Sequence, residues 1–152
     1  MFWKAVLAFV ALPGTVAFVV PLTFFLPPAP LVLDRLGVVV LLLGITLLLS
    51  TVREFYVAGR GTLAPWSPPQ QLVTTGLYGF TRNPMYVAVM LVLVGWAVLF
   101  HSWPLLVYAL GIGALFHLRV VFGEEPWLAR THGEEWARYK AQVPRWLLGR
   151  AR

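Results

Sequence analysis

Two short clusters hold most of the residues able to do chemistry. The first is Gly76-Leu77-Tyr78-Gly79-Phe80-Thr81-Arg82-Asn83-Pro84-Met85-Tyr86. Asn83 suits a helix N-cap and Pro84 the first helical position. A helix start exposes unpaired N–H groups, and Arg82 adds a full positive charge, so the cluster suits a carboxylate or a phosphate. Gly76 and Gly79 let the backbone approach a ligand closely. The second cluster is Glu124-Glu125, directly after an apolar run. Adjacent carboxylates repel each other and need cationic partners, which Arg119 or a cationic ligand could supply. Each cluster taken alone also has a plainer reading: a polar helix cap in the first case, solvated charge at a helix end in the second.

Other chemistries find little support. The chain has no cysteine, so disulfides, thiol nucleophiles and thiolate metal sites are excluded. His101, His117 and His132 lack metal-ligand spacing, no metal site is expected, and no nucleophile elbow or phosphate-binding glycine loop occurs. His117 and Arg119 sit within or beside an apolar run, where an ionisable group marks a functional hypothesis, although Arg119 can also snorkel to the interface.

The elements that must position these clusters are apolar helices. Of 152 residues, 59% are hydrophobic and only 12% charged. A soluble domain carries about 25% charge, so lipid must cover much of this surface. Apolar runs at 5–26, 31–52, 84–100 and 104–122 are read as four transmembrane helices. A core of about 30 Å takes ~20 residues at ~1.5 Å each, so the last two runs are near the lower limit. Pro13 and Pro21 should kink the first run, and Pro27, Pro28 and Pro30 make a stiff turn after it. Trp66 reads as an interfacial anchor in the long 53–83 connection. From Gly123 the chain turns polar and helical, Trp136, Tyr139, Lys140 and Val143 recur at helical spacing, and Pro144 ends the helix. Trp146, Leu147, Leu148, Arg150 and Arg152 read as a strip on the membrane surface.

The expected fold is therefore all-α: one membrane domain, 1–152, with two N-terminal spans (1–52), a cytoplasmic connection (53–83), a helical hairpin (84–122) and cytoplasmic C-terminal helices (123–152). Lys4, Arg53, Arg60, Arg82 and the basic residues from Arg119 to Arg152 fall on one side of that arrangement, and only Arg35 on the other. The bias predicts cytoplasmic termini, at the inner membrane if the source is bacterial. The net charge of +6 then reads as orientation and contact with anionic membrane lipids, with no nucleic acid partner.

The ordered set Gly76-x-Tyr78-x-x-x-Arg82-Asn83-Pro84-x-Tyr86, a hairpin, Glu124-Glu125-x-x-Leu128, and Gly133-x-x-Trp136-x-x-Tyr139-x-x-x-Val143-Pro144-Arg145 resembles the isoprenylcysteine carboxyl methyltransferase and phospholipid N-methyltransferase superfamily. The resemblance covers about residues 72–146. Many members have His where this chain has Asn83. It implies a membrane methyltransferase that uses S-adenosylmethionine, releases S-adenosylhomocysteine and methylates a lipid-like acceptor. Carried over by motif, Gly76, Tyr78, Arg82, Asn83, Pro84 and Tyr86 would line the cofactor pocket from one side. Glu124 and Glu125 would line it from the other, with Tyr139 and Arg145 closing it. Arg82 would act catalytically, and Glu125 or Tyr139 would serve as base for an amine acceptor. The competing readings are an NADPH-dependent membrane sterol or lipid reductase, disfavoured by the absence of cysteine and by carboxylates that would repel the cofactor's phosphates, and a non-enzymatic membrane protein.

Overall fold

A computed structural model describes residues 10–26, 34–57 and 71–146. The proline turn at 27–30, Trp66, the strip at 147–152 and the first residues of the N-terminal run lie outside the described residues. Every regular element within them is helical: a π-helical segment Val10–Val19 running into α1 (Val20–Phe24), then α2 (Arg35–Val57), a 3-10 turn Gly76–Gly79, α3 (Pro84–Leu99), α4 (Trp103–Arg119), a π-helical turn Val120–Glu124, and α5 (Glu125–Gln142). Two helical runs are long and apolar enough to cross a membrane, Arg35–Glu54 and the continuous run from Trp103, while Pro13–Phe24 and Pro84–Leu99 are shorter apolar helices.

The N-terminal segment shows how a proline-broken helix survives in an apolar setting. Pro21 has no N–H to give the carbonyls four and five residues before it. Those two carbonyls find side-chain donors on other helices instead: Trp96 Nε1 donates to Ala17 O at 2.9 Å, and Tyr108 Oη donates to Val16 O at 3.2 Å. Re-satisfying freed backbone groups from neighbouring helices is the condition for proline inside a membrane helix.

α2 and α3 form the antiparallel centre of the molecule. Gly37 packs on Leu99, Leu41 on Gly95 and Gly44 on Val92, so a small residue meets the facing backbone at each level. Around this seam Leu48, Ala88, Val89 and Leu93 are buried. Asp34 fixes the start of α2. Its Oδ1 accepts the Leu36 and Gly37 N–H groups at 2.8 and 3.2 Å, and its own N–H donates to Leu99 O at 3.1 Å. Its other oxygen lies 3.4 Å from His101 Nε2. Outside the seam, Val38, Val39, Leu42 and Leu49 of α2 and Leu106, Leu110, Leu115 and Leu118 of α4 are exposed. Such faces are the lipid-facing surface of a membrane protein.

The sequence reading holds for α3 and differs at two boundaries. α2 runs on past residue 52 to Val57, because Arg53 and Glu54 extend the helix instead of breaking it. The fourth run does not end at Phe122. α4 passes through the π-helical turn into α5 without a break, and the interruption comes at Gly133, with φ 48° and ψ −118°. Beyond that bend Trp136, Tyr139 and Val143 form a second small core with Leu72 and Leu128. Only glycine takes such a backbone readily. Gly133→Ala is expected to cost ~1–3 kcal/mol, seen as a lower melting temperature, because the new side chain meets backbone strain and no steric obstacle.

Candidate functional site

The site is built where the segment before α3 meets the start and end of α5. Gly76 takes a positive φ of 58°, and a Cβ there would lie 2.9 Å from the Glu54 carboxylate carbon. Glu54 Oε2 also accepts from Thr75 Oγ1 at 3.1 Å, so the end of α2 positions the loop. Tyr78 is buried next, and its carbonyl accepts the Tyr139 hydroxyl at 2.7 Å.

The C-terminal segment after α5 is strapped across the start of α3. Val143 turns extended ahead of Pro144, as a residue before proline should. Arg82 N–H then donates to Pro144 O at 2.9 Å, while Thr81 Oγ1 and Asn83 Nδ2 both donate to Arg145 O at 3.0 Å. This corrects one expectation. Asn83 makes no side-chain cap on α3; its amide is occupied by the Arg145 carbonyl 62 residues away. Pro84 does stand at the first helical position and is buried.

The two clusters converge. Arg82, with only 8% of its side chain exposed, places Nη1 2.9 Å from Glu125 Oε1. Its guanidinium carbon lies 5.3 Å from the centroid of the Trp136 ring, a cation–π distance. Arg145 grips the same carboxylate with two bonds, Nε to Oε1 and Nη2 to Oε2, both 2.8 Å. Burial pushes the Glu125 carboxyl up, but the Arg145 hydrogen bonds and the charges of Arg82 and Arg145 outweigh it and hold it below its ordinary value. Burial lowers the Arg82 guanidinium, with Glu125 opposing. The Tyr139 hydroxyl is pushed well above its ordinary range by burial. The two groups expected as bases make these contacts: Glu125 with Arg82 and Arg145, and Tyr139 with the Tyr78 carbonyl.

Glu124 faces another way. The π-helical turn Val120–Glu124 leads straight into α5, and consecutive helical residues point ~100° apart, so the two neighbouring acids meet different partners. Glu124 Oε1 accepts from Arg119 Nε at 2.8 Å and from the Tyr86 hydroxyl, and the Tyr86 ring packs on Phe116 with centroids 4.3 Å apart. Among the described residues, Glu124 Oε2 has no hydrogen-bond partner, and the buried Arg82 Nε has no acceptor. The Arg82 guanidinium thus keeps hydrogen-bonding capacity beyond its ion pair with Glu125. Gly79 is exposed and makes no part of the cluster.

The sequence reading missed Thr81, Glu54 and the bond from Trp146 Nε1 to His117 Nδ1 at 3.3 Å. A threonine and a glutamate carry no local signature of a partner tens of residues away. No group of metal-ligating side chains occurs among the described residues.

Fold and site together define a helical membrane protein with a charged cluster at one end of an apolar bundle. Residues 33–135 match the phospholipid methyltransferase family, and the chain belongs to it. The match takes in Arg82, Glu124 and Glu125 and stops short of Tyr139 and Arg145. No curated protein and no solved structure matches the chain.

Proposed function

We propose that this chain transfers a methyl group from S-adenosylmethionine to a lipid or lipid-like acceptor at the cytoplasmic face of the membrane, with both termini on that side. The observation that carries the reading is the 2.9 Å approach of Arg82 to Glu125, which joins the two motif clusters into one site.

The residues fit the cofactor's chemistry. S-Adenosylmethionine carries a carboxylate, an ammonium and a sulfonium. Arg82 Nε is a buried donor without an acceptor among the described residues, suited to the carboxylate. Glu124 keeps one oxygen for the ammonium or a ribose hydroxyl, and its side chain is 34% exposed, so a soluble ligand can reach it. Tyr86 and Trp136 supply aromatic surface for a cation or a purine. When bound, the cofactor supplies a methyl group on a positively charged sulfur, already activated for displacement.

The chain's own work is positioning and drying. Glu125 holds Arg82 and Arg145 in place, the Pro144–Arg145 strap ties the C-terminal segment over the α3 start, and Tyr139 locks the Tyr78 backbone. Alignment of donor and acceptor and exclusion of water are the main levers for such a transfer. Calorimetry of the detergent-purified protein with S-adenosylhomocysteine is the test. Glu124→Gln should weaken binding about tenfold to a hundredfold, the loss of one charge-assisted hydrogen bond worth ~1.5–3 kcal/mol. Wild-type protein that binds no S-adenosylhomocysteine at millimolar concentration overturns the reading.

A further inference from the structure

Trp146 follows Arg145 on the strap that closes the charged cluster, and its indole reaches across to α4. Nε1 donates to His117 Nδ1 at 3.3 Å, with the ring centroids 6.2 Å apart and the rings tilted by 30°. The strap's other polar ties go elsewhere. Pro144 O and Arg145 O take donors from Arg82, Thr81 and Asn83 ahead of α3, and the Arg145 side chain takes Glu125 at the start of α5. Among the described residues, the Trp146 bond is therefore the strap's one hydrogen bond to α4. It also closes a space. Trp146, His117 and Tyr86 line one cavity of about 390 Å³ between α3 and α4, and the Tyr86 hydroxyl donates to Glu124 of the site.

This bond depends on the protonation of one atom. An indole nitrogen only donates, so Nδ1 accepts through its lone pair and the neutral ring keeps its proton on Nε2. A proton taken from water onto Nδ1 uses that same lone pair. Both nitrogens of an imidazolium are donors, so the indole N–H then loses its acceptor. His117 is exposed, and protons can reach it. The charged and titratable groups on the elements around it are Arg119 on α4 itself, Tyr86 on α3, Glu124 in the π-helical turn, Glu125 on α5 and Arg145 on the strap. The carboxylates among them are engaged already, Glu124 by Arg119 and Glu125 by Arg82 and Arg145. An imidazolium at His117 thus gains no ion pair among the described residues to replace the bond it loses.

We propose that His117 is a positioning residue for the site: neutral, it holds the strap against α4 through Trp146, and protonated, it lets the strap go. The role rests on the methyl-transfer reading, since the residue before Trp146 is the Arg145 that grips Glu125 beside Arg82. Imidazole changes charge between about pH 5 and 8, so mild acid should loosen the strap and weaken cofactor binding.

The indole N–H resonances of the isotope-labelled intact protein in detergent report the latch directly, with Trp146 assigned by its absence from Trp146→Phe. In the wild type that resonance is expected to move upfield as pH falls from about 8 to about 5.5. In His117→Asn it should stay fixed, because the Asn Oδ1 stands close to the position of Nδ1 and takes no proton in this range. Calorimetry with S-adenosylhomocysteine at the same pH values gives the second readout. Acid should weaken wild-type affinity about twofold to tenfold more than that of His117→Asn or Trp146→Phe, the worth of one ordinary hydrogen bond. A Trp146 resonance that ignores pH in the wild type overturns the latch, whether or not either variant folds. A resonance that moves while all three proteins weaken equally in acid overturns the positioning role. Wild-type protein whose resonance titrates but which binds no S-adenosylhomocysteine sinks the methyl-transfer reading and leaves the latch standing.

Discussion

Glu125→Ala is expected to lose methyl transfer and ~3–5 kcal/mol of stability, the scale of leaving a buried ion without its partner. Arg82 is nearly buried, and among the described residues the only acidic oxygen within ion-pair distance of it belongs to Glu125. Removing that carboxylate leaves two guanidiniums, Arg82 and Arg145, facing each other across the vacated space. Melting of the detergent-solubilised protein measures the loss of stability, and calorimetry with S-adenosylhomocysteine the loss of the site. A triple replacement, Arg82→Met, Glu125→Leu and Arg145→Met, separates the two. Well-packed apolar side chains can replace a buried ionic triad with little loss of stability, so the triple variant should melt near the wild type yet bind no cofactor. An unchanged melting temperature in Glu125→Ala would show that the cluster does not organise the site. The pH dependence has a definite sign. The folded carboxyl is held below its ordinary value near 4.5, so its stabilisation is complete above that value and is lost as pH falls through the lowered one. The gap between wild type and Glu125→Gln should therefore close in acid and remain open at neutral pH.

The parts of the fold legible in the sequence are those with local causes. Apolar runs between prolines and charges give α3 from Pro84 and a turn around His101, because proline and hydrophobic length act over a few residues. The two site clusters are visible as charge in an apolar chain. Their pairing is not, since nothing local says that Glu125 takes Arg82 and Arg145 while its neighbour takes Arg119. That division depends on tertiary packing, which brings Arg82 and the Arg145 strap to the Glu125 side of the helix. Asn83 shows the same limit. Its type and position both suit a helix cap, and a tertiary acceptor, the Arg145 carbonyl, takes its amide instead. Gly133 sits within a helical pattern and looks tolerable there, yet it carries the bend that brings Trp136 and Tyr139 under the site.

Gly95, inside the α2–α3 seam, should be highly sensitive to a single added methyl group. A Cβ there would lie 2.7 Å from both the N and Cα of Leu41. Those are backbone atoms of α2, so no rotamer can relieve the clash and the helices must part. In lipid the separated surfaces gain no penalty from water, and the tails are as apolar as the side chains they replace. What is lost is close contact between helices, together with the fit of Leu41, Val92 and Leu93 around it. Gly95→Ala is expected to cost ~1–3 kcal/mol, the range for overpacking a tight core, and Gly95→Leu to prevent stable assembly. Gly111 supplies the control within the same molecule. It is exposed on α4, and a Cβ added there would meet nothing within 4 Å, so Gly111→Ala should raise stability by ~0.5–1 kcal/mol through helix propensity alone. The same substitution thus changes sign between two apolar helices. Equal melting shifts for the two variants would mean that the glycine seam does not hold α2 against α3. The consequence for function follows from geometry: Gly95 lies near one end of α3 and Arg82 directly precedes the other, so a helix pushed away at Gly95 also moves Arg82.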